Sequence, residues 1–386
     1  MRVRWWLLSG AVATGLVAVA VAAGRDHADR PACPLVSRWT RSFTNVISLS
    51  LAPDGSRLAV LSAYGTITCL DRAGQLAWQQ DAPEATRVLA GPGGRLVVAY
   101  APRRPLASSV WLFDEDGRRL AEIAAPDVVQ SLALAGDGRQ VAIGLRNAVL
   151  VCQRWGDHFD TLRVPVRGAV AQVHFGPERT LYVLTRQSDS LRRCKLSGKT
   201  LWKLDFASES EPAMACTPDG RLLVIASRVE GNGLLIRTLL PSGKVAWETR
   251  TPGRDPVLRL ATDGSALLVA YEHCLAHEEY TYFERRLGYF SLGEERIAWV
   301  KGGPYTVALP AALGADGAWV VTLDVKRALR PPQFRLLGRH GERRWIYASA
   351  APVLIATSSL DGRFVAACRS DGVIELIEVM SAPHPG

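Results

Sequence analysis

The stretch "PSGKVAWETRTP", residues 241–252, joins a tight-turn signal to a short alternating run that carries one tryptophan. Close variants stand elsewhere in the chain: "DRAGQLAWQQDAP" at 71–83, "LSGKTLWKLDFAS" at 196–208 and "GRHGERRWIYASA" at 338–350. A glycine supplies a left-handed turn position, and the tryptophan four residues later is large enough to fill the space between two packed layers. Gly74/Trp78, Gly198/Trp202, Gly243/Trp247 and Gly341/Trp345 keep this spacing. Trp299 keeps the tryptophan without the glycine, and Gly117 keeps the glycine with Ala121 in the tryptophan position.

A second landmark alternates with the first. "PDGSRLAV" at 53, "GPGGRLVV" at 91, "GDGRQVAI" at 136 and "GPERTLYV" at 176 each join a turn to an apolar run. "PDGRLLVI" at 218, "TDGSALLV" at 262, "ADGAWVVT" at 315 and "LDGRFVAA" at 360 continue the series. Asp-Gly favours a turn with positive φ between antiparallel strands, and the run after it reads as a strand buried on both faces. The eight copies recur at intervals of 39 to 53 residues, which suits four strands of five or six residues with short turns. The pattern predicts an all-β chain: an eight-bladed β-propeller of four-stranded antiparallel blades.

The two ends of the repeat region complement each other. After "DGRFVAACRSDGVIELIEV" the pattern stops one strand short of a blade, while "PLVSRWTRSF" at 34–43 places Trp39 in an outer-strand context with no strands before it. Joining them closes the ring with an N-terminal strand and removes an exposed sheet edge. The expected organisation is a leader over 1–33, one propeller domain over 34–380, and a loose tail over 381–386.

The repeat resembles the PQQ-like, or quinoprotein-type, β-propeller family, whose outer strands carry the same x-G-K-x-x-W motif and whose blades commonly number eight. The resemblance covers nearly the whole chain after the leader. It implies a structural role for Trp39, Gly74, Trp78, Gly198, Trp202, Gly243, Trp247, Trp299 and Trp345. The family includes dehydrogenases, which are longer and carry a vicinal cysteine pair against the quinone. No two cysteines are adjacent here, so the resemblance is to the non-catalytic, BamB-like branch, with no cofactor expected.

Composition narrows the partners. The net charge of +9 comes almost entirely from arginine, with six lysines in the chain, and the basic residues are scattered without runs or aromatic platforms. That pattern argues against nucleic acid. At the N-terminus, "MRVR" precedes the uncharged apolar run Trp5 to Ala23. Its length lies between a signal-peptide core and a membrane-spanning helix, so both a cleaved leader and a retained anchor stay open. Either implies export, and the expected location is the bacterial cell envelope, extracytoplasmic, secreted or held to the membrane by the N-terminal segment alone. Cys69, Cys152, Cys194 and Cys368 sit inside apolar strand-like runs and read as isolated buried thiols, while Cys33 beside the leader is the candidate exposed thiol.

Chemical signatures are sparse. "SGKT" at 197–200 imitates the end of a phosphate-binding loop, but Arg193 stands where the first glycine belongs and the segment falls between strands. No G-x-S-x-G or H-E-x-x-H occurs. The richest local stretch is "YEHCLAHEEYTYFERR" at 271–286, read as a loop insertion. His273 and His277 share a face there, and Glu278 or Glu279 could complete a metal site; the alternative is a solvated polar loop. In a blade with strands A to D from the axis outward, A–B and C–D turns lie on one face and B–C and D–A connections on the other. The irregular segments 101–109, 228–233, 271–282 and 325–333 all follow strand B. They are expected to present Arg103, Arg104, Arg228, His273, His277, Tyr280, Tyr282, Lys326, Arg327 and Arg330 on one face, to an envelope protein or an anionic ligand. The expectation is thus a monomeric, non-catalytic scaffold, with a metal- or anion-binding propeller or an extracytoplasmic enzyme as the alternative.

Overall fold

The structure is a computed structural model that describes residues 35–380, apart from 95–96, 103–107, 156–157, 187–189, 207–210, 231–232, 277–280, 303–305, 327–332. The leader, the tail and Cys33 lie outside the described residues. Among the described residues, no helix is long and apolar enough to cross a membrane.

The chain is a β-propeller: four-stranded antiparallel units follow one another around a ring. Residues 46–81, 87–125, 131–165, 170–205 and 213–252 each form one four-stranded sheet whose strands pair in sequence order. A sixth sheet combines Val353–Ser358, Phe364–Arg369 and Val373–Val379 with the N-terminal strand Leu35–Ser42. That strand runs antiparallel to Val373–Val379, with Leu35 opposite Val379 and Ser42 opposite Val373.

The remaining eight strands do not form the two separate sheets expected. Residues 254–301 and 306–348 are joined into one eight-stranded sheet, so hydrogen bonding yields seven sheets and not eight. A single parallel pair, Arg285 opposite Val307, makes the join. It arises because strands Ala266–Ala276 and Thr281–Ser291 are eleven residues long and reach past the ends of their neighbours.

Burial follows position in the unit. Middle strands such as Ser108–Phe113 and Thr180–Thr185 are buried at every residue, because the next unit covers each face. Outer strands such as Thr200–Asp205 and Arg343–Ala348 alternate between half-buried and exposed. Between successive four-strand units lie apolar clusters: Ala59, Cys69 and Trp78 meet Trp111 and Phe113 in one, and Leu268 and Tyr289 meet Leu313 and Val320 in another. Leu58 and Leu70 meet Phe364 and Leu376 where the last sheet meets the first, which closes the ring.

The A–B turns share one construction. In the copy at 52–57, Ala52 N–H donates to Arg57 O, Gly55 N–H donates to Ala52 O, and Asp54 Oδ1 accepts from Ser56 N–H. The aspartates Asp137, Asp219, Asp263, Asp316 and Asp361 accept from the backbone two residues on in the same way. The copy at 176–180 has no Asp-Gly; Glu178 and Arg179 adopt φ of 58° and 57° instead.

The C–D turns explain the tryptophans. Gly243 has φ 85°, and a β-carbon added there would lie 2.8 Å from the Trp202 indole of the preceding sheet. Trp202 Nε1 donates to Pro241 O in that turn at 2.8 Å. Trp39 docks on the Gly74 turn and donates to Arg72 O, and Trp299 docks on the Gly341 turn and donates to Arg339 O. Trp247 donates to Glu295 O, in the turn that lacks the glycine, where Glu295 itself carries a positive φ of 52°. Trp78 packs on Gly117, but its buried indole N–H has no acceptor among the described residues. Gly198 meets Pro165, since the preceding outer strand carries no tryptophan. Trp345 is half-buried in an apolar cluster with the closing sheet, whose C and D strands come from opposite ends of the chain and so offer no C–D turn.

Candidate functional site

The B–C connections occupy the positions the sequence suggested, but two are not irregular loops. Val229 pairs with Gly233, so 228–233 is a tight hairpin, and Arg228 lies within a strand opposite Leu234. The described part of the 271–282 segment is strand: His273 stands opposite Glu284 and Ala276 opposite Thr281. The register puts Tyr271 and Leu287 on opposite faces of the sheet, each in an apolar cluster with a different neighbouring unit, and the charged residues begin farther along both faces. Tyr282 lies on this hairpin and Lys326 at the end of strand Trp319–Lys326. Arg103, Arg104, His277, Glu278, Glu279, Tyr280, Arg327 and Arg330 lie outside the described residues. Of the residues in the metal reading only His273 is described, opposite Glu284 across the hairpin; among the described residues, no group of three potential ligands could hold an ion.

The base of this hairpin is a charged network. Arg254 donates to Glu272 at 3.3 Å, Arg285 lies 3.7 Å from the same carboxylate, and Arg286 pairs with the buried Glu284. These contacts fix the hairpin to its own inner strand.

Two features at the same end of the ring escaped sequence reasoning. Bulges interrupt the inner strands: Val46 and Ser48 pair with Ser62 and Leu61, and Val353 and Ile355 with Arg369 and Cys368. The extra residues are Ile47 and Leu354, at matching positions on adjacent inner strands, and they are 41% and 66% exposed. Tyr64, in the neighbouring B–C turn, is 73% exposed and accepts a hydrogen bond from Asn45 at 2.8 Å. Bulges re-aim side chains in this way next to functional surfaces. A bulge has no periodic signature, so nothing in the pattern marked these residues.

The buried ionisable groups divide clearly. Burial pushes the thiols of Cys69, Cys152 and Cys194 up to about 11 and that of Cys216 to about 12, so none of them is a nucleophile at neutral pH. Cys69, Cys152, Cys194 and Cys368 are buried and unpaired. His174, on inner strand Val170–Gly176, is pushed down to about 4 by burial and stays neutral. Arg259, on inner strand Arg254–Leu260, is half-buried, and burial lowers its affinity for its proton.

The four-stranded antiparallel units arranged in a ring define the chain as a β-propeller. No known family profile and no curated protein matches the sequence. Solved structures do match. The propeller of Dos1 aligns with TM-score 0.67 at 12% identity, over 90% of this chain and 95% of that one. The C-terminal WD40 domain of Sif2 aligns with TM-score 0.66 at 10% identity, over 89% and 98%. Hydrazine synthase of Kuenenia stuttgartiensis aligns with TM-score 0.53 at 13% identity, over 92% and 99%. At such identities the likeness is one of fold.

Proposed function

We propose that the chain is a non-catalytic scaffold that receives a protein partner on the ring face carrying the B–C and D–A connections. The observation that carries this reading is the pair Ile47 and Leu354, which the bulges turn out of the strand pleat into solvent beside the exposed Tyr64. Exposed aliphatic and aromatic side chains gathered on a rigid frame, with Arg254 and Arg285 on the same ring face, match the make-up of a protein interface with an apolar centre and charged surroundings.

Three finer points belong to the same reading. The ring has eight blades, with 254–301 and 306–348 counted separately; the apolar cluster between them and the docking of Trp299 on Gly341 support this count. The chain is kin to PQQ-like repeats of the BamB-like branch, on the strength of the Gly-x-x-x-Trp turns and their tryptophan contacts. It works outside the cytoplasm in the bacterial cell envelope, on the strength of the apolar run from Trp5 to Ala23.

The test is affinity capture from solubilised envelopes with the full chain and with Ile47→Asp/Leu354→Asp. A protein retained by the first and lost by the second, with the variant's melting temperature unchanged, supports the scaffold. An identical set of captured proteins for both removes this face from consideration.

A further inference from the structure

At the opposite end of the ring from the bulges, near the A–B turns, the interior opens into a cavity of about 140 Å³. Its wall is built from repeat-equivalent positions. Leu51, Leu260, Leu313 and Ser358 are each the last inner-strand residue before an A–B turn, contributed by four successive units around the ring. Pro53 and Leu360, from two of the turns, complete the apolar part, and Leu360 N–H is tied to Pro53 O at 2.8 Å. These ties hold the cavity open on rigid elements.

Arg259 breaks the repeat at this point. The positions equivalent to it are Ser50, Leu89, Ala133, His174, Ala215, Ala312 and Thr357, and none of them is an arginine, a lysine or a carboxylate. Ser50 uses its hydroxyl to accept from Ala90 N–H of the next inner strand, which is the structural duty of the position. Arg259 cannot do that. It lines the cavity, and no carboxylate or carbonyl partners its guanidinium among the described residues. It is the one permanent charge at this position of the repeat, since Leu89 is apolar and burial keeps His174 neutral, and departures from local consistency concentrate at functional sites.

We propose that this cavity binds a small aliphatic or aromatic monocarboxylate, with Arg259 pairing the carboxylate and Leu51, Leu260, Leu313 and Leu360 enclosing the hydrocarbon body. An apolar cavity of about 150 Å³ accommodates benzene, so a body of about six carbons fits the volume. The planar fork of a guanidinium matches a carboxylate through two parallel hydrogen bonds. Ser358 adds a hydroxyl at the rim. An inorganic oxyanion would satisfy the charge but leave the leucine wall against water, so the site prefers the organic acid. This binding is independent of the partner face, which lies at the other end of the ring.

The experiment is calorimetric titration of the full chain with hexanoate, benzoate, inorganic phosphate and hexanol, repeated on Arg259→Met and Arg259→Lys. Saturable binding of hexanoate or benzoate at one site per chain is expected, weakened roughly tenfold or more in Arg259→Met. Phosphate and hexanol are expected to bind at least tenfold more weakly than the acids. Arg259→Met is also expected to keep the melting temperature of the unsubstituted protein without ligand, since the half-buried Arg259 makes no hydrogen bond or ion pair among the described residues, so loss of binding is separable from loss of fold. Arg259→Lys keeps the charge without the fork and is expected to fall between the two. Absence of saturable acid binding, equal binding by Arg259→Met, or phosphate binding as tight as hexanoate would each overturn the proposal.

Discussion

Arg38, on the first strand, donates from Nε to the carboxylate of Glu378 on the last strand, 340 positions later. Arg363 Nε donates to the other carboxylate oxygen at 2.9 Å. The carboxylate is buried, whereas both guanidinium groups reach solvent. Burial alone would raise its proton affinity, but the two arginines hold it below the ordinary glutamate value. The ends of the chain are therefore joined by a buried charge with two exposed counter-charges.

That asymmetry sets the first prediction. Glu378→Gln leaves two arginines that water can solvate, and should cost about 1–2 kcal/mol. Arg38→Ala/Arg363→Ala leaves a buried carboxylate without a counter-charge, and should cost about 3 kcal/mol or more. Urea denaturation of both variants checks the order; a larger loss for Glu378→Gln would contradict it. Because the folded-state affinity is depressed, the contribution is complete above the unfolded glutamate value near 4.5 and disappears as pH falls through the folded value.

His174 gives a pH dependence in a different window. Its folded value of about 4 lies below the ordinary 6.5, so the unfolded chain binds the extra proton between these limits. Stability from this group is complete above pH 6.5 and declines as pH falls toward 4, by about 2 kcal/mol at pH 5. Comparing unfolding at pH 7 and pH 5 for the unsubstituted protein and His174→Gln isolates the term. The variant should lose less stability across the interval.

The turn glycines differ in what they face, and so should their substitutions. Gly243→Ala places a methyl group against the Trp202 ring in a left-handed turn, and should cost about 3 kcal/mol from strain and overpacking together. At Gly198 the nearest atom is 3.3 Å away on Pro165, so Gly198→Ala should cost only the backbone term, about 1 kcal/mol. Thermal melts of the two variants test the difference.

One turn can be improved. Glu178 and Arg179 both hold positive φ without being glycine or asparagine. Glu178→Asn/Arg179→Gly installs the residues such a turn favours and should raise stability by about 1 kcal/mol. The gain is net of the contacts Arg179 makes to Gln153 and Glu178 makes to Arg193. A lower melting temperature would show that these contacts outweigh the backbone strain.

Much of the fold was legible because its units repeat. Turn glycines and inter-unit tryptophans recur at fixed offsets, and both follow from backbone geometry and layer packing that every unit shares. What escaped was particular to one unit. The far part of the eleven-residue strands at 266–291 read as a loop because both of its faces carry charges, Glu272 and Arg285 on one and Glu284 and Arg286 on the other, and so show no apolar alternation. Ile47 and Leu354 are exposed by bulges, which leave no period to detect. Arg259 is one arginine among forty in the sequence, and only the strand alignment shows that none of its equivalents is an arginine.

The pairing of Leu35–Ser42 with Val373–Val379 also has a consequence in time. During synthesis the first strand of the ring emerges long before its partner exists, and it must wait, with an unpaired edge, for nearly the entire chain to follow. Until then the growing arc has an open strand edge at each end, the condition under which strands of different chains find one another. A chain halted before residue 373 lacks the partner strand altogether, so the closing contact reports that synthesis has passed the strand Val373–Val379.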